Sequence, residues 1–324
     1  MSKRDDFLNT LSGHGPVDSV PVWELEFHPF DRFVSGRKMI LGAEFMALSA
    51  DGRERALHSN AEIIISVATE LDMAAVTVPS RYWEVAPGHP AYWIIQDGYS
   101  DQVKVLSRLK PKDLVLVGNS GGVMSMPGAA SYLDFSYKLF DAPDEIDALA
   151  KSTYVSGVDR AKMLVDLGCE VVFTASDIAD NHGPFFKPKQ MERFILPYLR
   201  DWAAEVHKLG AKAILHSDGN LTRYLDVIAD SGINALQAID PVAGMTMRGA
   251  MDIVKGRIAL AGNVDCGLLL TGTPDAIQSQ TETLLKTCGR ERLVLGGSNA
   301  LQYDVPAANY RALHRARESY GQLS

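Results

Sequence analysis

The sequence predicts an α/β fold. Specifically it predicts a closed (β/α)8 TIM barrel in one domain, residues 1–324, with a helical N-terminal extension and an inserted lid. Three observations lead there. Short apolar runs alternate with longer helical patterns, which implies βα units and a parallel sheet. Eight such runs occur, most of them near-continuously apolar, as strands covered on both faces are. Neither GxGxxG nor GxxxxGK[ST] is present to favour an open nucleotide-binding sheet.

The expected strands are 20–26, 73–79, 114–117, 170–177, 211–216, 233–240, 257–263 and 292–297. Helical patterns at 190–209, 221–231, 247–255 and 274–288 fill the gaps between the later strands. Gly210, Gly232 and Gly256 stand where helix C-terminal glycines belong. Thr273 before Pro274 reads as an N-cap with proline at the first helical position. Pro197 falls inside a helical pattern and should kink it, because proline lacks the N–H and crowds the preceding turn. The stretch 27–71 is long for a βα connection and should hold helices over part of the barrel mouth. The stretch 82–105, carrying Trp83, Tyr92, Trp93 and Tyr99, reads as an inserted hairpin or lid.

Composition is that of a globular chain: 46% apolar, 22% charged, net charge −8 spread along its length. That charge argues against a nucleic-acid or membrane surface. No apolar run reaches the ~18 residues of a membrane span. Met1-Ser-Lys-Arg-Asp-Asp6 lacks an apolar signal core, so a cytoplasmic location is expected. Cys169, Cys266 and Cys288 form neither a disulfide framework nor a CxxC knuckle.

In (β/α)8 enzymes chemistry sits at the C-terminal ends of the strands. The fifth expected strand, Ala211–His216 in number 211–216, ends in His216-Ser-Asp218-Gly-Asn220. Residues two apart on an extended chain share a face, so His216 and Asp218 could both face the axis. Imidazole and carboxylate are common zinc ligands; the competing reading has His216 bonded to a core group and Asp218 shaping the turn. Glu24 and Glu26 alternate at the first strand end and share a face, as acid or base if inward, as structural glutamates otherwise. Asp177 closes the apolar run 171–177 and is a candidate acid, base or ligand, or else a helix cap. Cys266, after Gly262-Asn263-Val-Asp265, is either a metal ligand or an inert buried thiol. No G-x-S-x-G elbow supports a nucleophilic serine.

Several of these pieces resemble the uroporphyrinogen decarboxylase superfamily. They are Gly183-Pro184 before Pro188, Phe194-Ile-Leu-Pro197-Tyr198, Ile214-Leu-His216-Ser-Asp-Gly219-Asn220, Gly262-Asn-Val-Asp265, and Ser298-Asn299 through Val305-Pro306, with Asp18-Ser-Val-Pro21-Val22 at the entry to the first strand. The resemblance implies the same barrel. It also implies one of two chemistries: cofactor-free decarboxylation of tetrapyrrole acetate arms, or zinc-dependent methyl transfer to or from a corrinoid on a partner protein. The decarboxylases carry an arginine-rich stretch after the first strand to hold carboxylates. This chain has Trp23-Glu-Leu-Glu-Phe-His28 there, and acidic groups repel carboxylates. The methyltransferase branch is therefore expected.

That branch implies zinc on a His-x-Cys pair and a later cysteine. Here His216 matches the histidine, Asp218 stands at the cysteine position, and the later cysteine position falls near Ser298 or Asn299. The resemblance thus implies a metal set of His216 and Asp218, with Cys266, Glu24 or Glu26 as third ligand. Asn220, Asn263 and Asn299 are the expected cofactor-binding amides, and Asp177, Glu24 and Glu26 the expected acids or bases. An oxygen- and nitrogen-rich zinc is more Lewis-acidic than a thiolate-bound one, which favours a methyl donor bound through oxygen, such as a methoxylated aromatic. The expected partners are that small molecule and a corrinoid protein, and a homodimer is among the assemblies left open. The alternatives are a metal-free lyase using Asp177 with Asn220 and Asn263, and a non-catalytic barrel that binds a tetrapyrrole or a partner.

Overall fold

The computed structural model describes residues 1–15, 17–79, 82–86, 89–93 and 99–322, with side chains left undescribed at 82–86, 89–93 and 322. In chain order its strands are β1 Ala75–Thr77, β2 Tyr82–Ala86, β3 His89–Trp93, β4 Val115–Asn119, β5 Val171–Ala175, β6 Ala179–Asp180, β7 Gly183–Pro184, β8 Lys212–His216, β9 Ala235–Gln237, β10 Ala259–Ala261 and β11 Leu293–Val294. The helices are α1 Lys3–Ser12, α2 Gly42–Met46, α3 Ala50–Glu70, α4 Tyr99–Leu109, α5 Tyr132–Asp141, α6 Pro143–Asp166, α7 Pro188–Gln190, α8 Leu196–Lys208, α9 Leu225–Ala229, α10 Met247–Val254, α11 Cys266–Thr271, α12 Pro274–Cys288 and α13 Ala307–Gln322. Seven of these strands form one parallel sheet in the order β1-β4-β5-β8-β9-β10-β11. Helices cross between them, as parallel neighbours require.

The run 20–26 is not a continuous strand, which corrects the expectation. Pro21 cannot donate to a ladder. The segment is held instead by isolated bonds to both edges of the sheet. Trp23 N donates to Leu295 O at 3.1 Å and Leu295 N to Pro21 O at 2.9 Å; on the other side Ala74 N donates to Val22 O at 2.9 Å. These bonds join the β11 edge to the β1 edge, and the sheet curls into a TIM-barrel-like ring.

Alternation along the strands sorts the core into two layers. Val115, Val117, Val171, Phe173, Ile214, Ala235, Ala259, Ala261 and Val294 pack inside the ring with Trp23 and Leu25. Leu116, Val172, Leu215, Leu236, Leu260 and Leu293 face outward onto the helices. Small alanines on β9 and β10 leave room for Trp23 and Phe173, whose rings lie 6.2 Å apart. α1 adds Phe7 and Leu11 to the inner layer, with Phe7 6.3 Å from the Trp23 ring.

Other boundaries move for local reasons. Pro197 distorts the expected helix 190–209 without ending it: a wide π-type turn at Met191–Ile195 precedes the proline, and α8 continues from Leu196. The expected helix 221–231 shortens to α9, because Tyr224 N and Leu225 N both bond Leu221 O in a preceding turn. β2 and β3 pair antiparallel as a hairpin, but 99–105 belongs to helix α4 and not to the insertion. The side chains of Trp83, Tyr92 and Trp93, on which the lid reading rests, lie outside the described residues. α2 and α3 occupy the stretch 27–71. No described helix is long and apolar enough to cross a membrane.

Candidate metal centre

β5, β8 and β9 are neighbours in the sheet, so their C-terminal ends converge. His216 is the last residue of β8 and shares the inward register of Ile214. Gln237, the last residue of β9, pairs with it in register and follows the inward Ala235. Asp177 lies just past β5. Asp218 is carried back toward it by a turn at Gly219, whose φ is +85° and where a Cβ would lie 2.6 Å from the carbonyl of Ala179. Only glycine fits that conformation in that space.

Asp177, His216 and Asp218 therefore meet, each offering a ligand atom within 4.8 Å of the others. His216 Nε2 is 3.7 Å from Asp177 Oδ1 and 3.8 Å from Asp218 Oδ1. Its other nitrogen, Nδ1, lies 2.5 Å from Gln237 Oε1. The Gln237 Nε2 donates to Gly297 O at 3.2 Å, which assigns Oε1 to the histidine side and makes Nδ1 the protonated nitrogen. The Nε2 lone pair then faces the two carboxylates.

The carboxylates are held in place. Asp218 N donates to Asp177 Oδ1 at 3.0 Å, and Asn299 Nδ2 donates to Asp218 Oδ2 at 2.5 Å. Asp218 Oδ1 is buried with no hydrogen-bond partner. Burial is the main cause that pushes the Asp218 carboxyl above its usual range; Asp177 and Asp240 push the same way, against the pull of His216 and the Asn299 amide. An aligned lone pair, two carboxylates and an orphaned buried oxygen form a negatively poised pocket that a cation would satisfy. The donors fit zinc in kind. Tetrahedral zinc with bonds near ~2.0–2.1 Å sets ligand atoms about 3.3 Å apart, so each carboxylate would close on the imidazole by roughly half an ångström around an ion. His216 is almost wholly buried, whereas the Asp177 side chain is 43% exposed, so the pocket opens on the Asp177 side.

The remaining expected residues are placed as follows. Cys266 lies outside this group: its Sγ donates to Asn299 O at 3.3 Å and accepts from Asn299 N at 3.2 Å, and burial pushes the thiol up to about 11. Glu24 lies on the outer face of the wall, because Trp23 and Leu25 take the inward register. Its Oε1 accepts from Tyr310 OH at 2.8 Å and its Oε2 from Gly297 N at 2.9 Å. Burial pushes its carboxyl up to about 8. Glu26 Oε2 lies 3.2 Å from His28 Nε2, apart from the cluster. Asn220 Nδ2 donates to Ala243 O at 3.0 Å and Asn263 Nδ2 to Ile239 O at 2.9 Å, so both amides brace the loops after β8, β9 and β10. Asn299 alone of the three bonds a cluster carboxylate. Gln237 falls within the expected strand 233–240 but was not among the expected site residues. Its period-2 spacing from Ala235, one strand over from His216, was the signal of an inward partner. Tyr310, in the first turn of α13, carried no such signal.

The sequence profile of the uroporphyrinogen decarboxylase (URO-D) family matches residues 99–320. The methylcobamide:CoM methyltransferase MtbA of Methanosarcina mazei is 25% identical over 187 residues, which cover 56% of this chain and 52% of that protein. The uroporphyrinogen decarboxylase of Syntrophotalea carbinolica is 21% identical over 231 residues, 68% of this chain and 65% of its own. The chain thus spans about half the length of the first of these relatives in the matched region. A solved methyltransferase from Methanosarcina mazei superposes with a TM-score of 0.74 over 99% of both chains at 18% identity, a likeness of fold.

Proposed function

The chain belongs to the uroporphyrinogen decarboxylase (URO-D) family, and from that premise we propose that it is a corrinoid-linked methyltransferase that holds zinc between Asp177, His216 and Asp218. The methyl donor is a small molecule bound through oxygen, such as a methoxylated aromatic. The acceptor is a reduced corrinoid carried on a partner protein. The similarity to MtbA supports the reaction class, and the donor set supports the oxygen-bound substrate. The observation that carries the reading is the buried, partnerless Asp218 Oδ1 facing His216 Nε2.

Zinc in this setting would supply Lewis acidity, polarising the donor's ether oxygen so that its methyl carbon becomes open to attack. The chain's own residues do the rest. Gln237 fixes the His216 tautomer, and Asn299 fixes Asp218. Asp177, on the open side, is the residue beside which the donor enters. The buried side chains of Trp23, Phe173 and Ile214 close the pocket floor to water. Glu24 is fully engaged with Tyr310 and Gly297, so it does not supply a proton to the leaving oxygen; that proton comes from solvent on the open side.

Elemental analysis of the purified protein is expected to find stoichiometric zinc that His216→Ala loses. Methoxylated aromatics are expected to methylate a free reduced corrinoid in its presence, seen in the corrinoid absorption spectrum. Zinc-free protein whose activity survives chelation would overturn the reading. The relation to decarboxylases keeps a second assay in view. Carbon dioxide release from an acidic substrate without corrinoid would assign the chain to the metal-free lyases instead.

A further inference from the structure

Glu24 is almost wholly buried, and Val20 and Val22, which precede it on the same face, belong to the apolar core. A carboxyl group is costly there unless both oxygens are used. Both are: Tyr310 OH donates to Oε1 at 2.8 Å and Gly297 N to Oε2 at 2.9 Å. The approach is close because positions 296 and 297 carry no side chain. A Cβ at Gly296 would lie 2.3 Å from Trp23 O, and one at Gly297 would lie 3.1 Å from Cys266 Sγ and 3.3 Å from Glu24 Oε2.

Gly297 is gripped from the other face of the wall as well. Its carbonyl accepts from Gln237 Nε2 at 3.2 Å, and the same amide presents Oε1 to His216 Nδ1 at 2.5 Å. One glycine thus links a carboxyl group on the outside of the ring to an imidazole on the inside. We propose that Glu24 is a positioning residue for His216, braced by Tyr310 and acting through Gly297 and Gln237. Holding Gly297 N–H fixes where its carbonyl stands. That carbonyl decides which way the Gln237 amide points, and the amide decides which His216 nitrogen carries the proton. The Nε2 lone pair is free to ligate only in the tautomer this chain selects.

The zinc arm of the proposal rests on the reading above, whereas the tautomer arm does not. The test compares wild type, Glu24→Leu, Glu24→Gln and Tyr310→Phe, each checked for folding by thermal unfolding. Nitrogen-15 NMR of the metal-free protein reports the His216 tautomer, and competition with a chromophoric chelator reports zinc affinity. Wild type is expected to hold the Nδ1–H form. Glu24→Leu is expected to mix the tautomers and weaken zinc binding by up to about 10-fold, less than the roughly 10–100-fold cost of removing a direct partner of a ligand. Glu24→Gln should retain both properties, since its amide oxygen accepts from Gly297 N and its NH2 donates to Tyr310. Tyr310→Phe should produce a smaller change in the direction of Glu24→Leu, and decides the matter if Glu24→Leu does not fold. A folded Glu24→Leu, or in its place Tyr310→Phe, with tautomer and affinity unchanged overturns the proposal. If wild type binds no zinc, the tautomer readout still judges the positioning role while the metal reading fails separately.

Discussion

Gln237 Oε1 stands 2.5 Å from His216 Nδ1, and this contact leaves the opposite ring nitrogen facing Asp177 and Asp218. Two adjacent strands supply the pair in register, so the imidazole is oriented by the sheet itself. Replacing Gln237 by leucine removes the acceptor and frees the ring. Zinc affinity is expected to fall about 10–100-fold, measured by chelator competition, with the far-UV spectrum unchanged. An affinity equal to that of wild type would show that the contact does not orient the ligand.

Asp218 has a buried oxygen without a partner and a carboxyl pushed above its usual range, chiefly by burial. In the metal-free protein that carboxylate is a strain on the fold. A raised folded pKa means that stability falls as pH rises above the unfolded carboxylate range. Asp218→Asn is therefore expected to unfold at a higher temperature than metal-free wild type at neutral pH, by roughly 1 kcal/mol. It should also lose zinc. Scanning calorimetry with and without zinc separates the two effects, and a destabilised metal-free variant would contradict the account.

Glu24 makes a pH-dependent contribution of its own. Burial raises its carboxyl to about 8 in the folded protein, against the opposing pull of the Gly297 and Tyr310 hydrogen bonds, whereas the unfolded chain ionises it near 4.5. Between those values the folded state binds more protons, so stability declines as pH rises, by at most ~1.4 kcal/mol per unit, and levels off above the upper value. Glu24→Gln cannot ionise. Its stability relative to wild type is expected to improve steadily across that window and then stay constant. Chemical denaturation at a series of pH values reads this directly, and a difference independent of pH would place the group in a more polar setting.

Phe173 is one of the large side chains that fill the ring, buried against Trp23 among small alanines. Phe173→Ala is expected to cost about 3–5 kcal/mol in denaturant unfolding. Its zinc stoichiometry should be that of wild type, because the inner layer lies below the cluster.

The parallel strands were legible because each is an apolar run bounded by turn residues; six of the seven fall within their expected spans, and β4 runs on two residues past its own to Asn119. His216 and Asp218 were legible for the same reason: they end such a run before Gly219. The first strand was not. Val22-Trp23-Glu24-Leu25-Glu26 alternates cleanly, but alternation does not say which set faces inward. Trp23 and Leu25 take the interior, and Glu24 is left outside. The grouping of Asp177 with His216 and Asp218 depends on β5 lying beside β8, which is a fact of sheet order and not of spacing. Cys266 drew attention as a thiol near a strand end, yet its Sγ is spent on the Asn299 backbone.

The segment after α1 bonds to Leu295, Val20 O accepts from Arg317 Nε at 2.7 Å, and Arg32 pairs with Asp304 at 2.6 Å. These residues thus find partners some 270 or more residues further along the chain. A ribosome releases β1 through β10 before those partners emerge. Until then the nascent sheet has two unpaired edges and an uncovered interior, the condition in which growing chains associate wrongly. The stretch from β11 onward completes the ring, so chains cut short before it cannot close it, and the aggregation of such products marks where closure occurs.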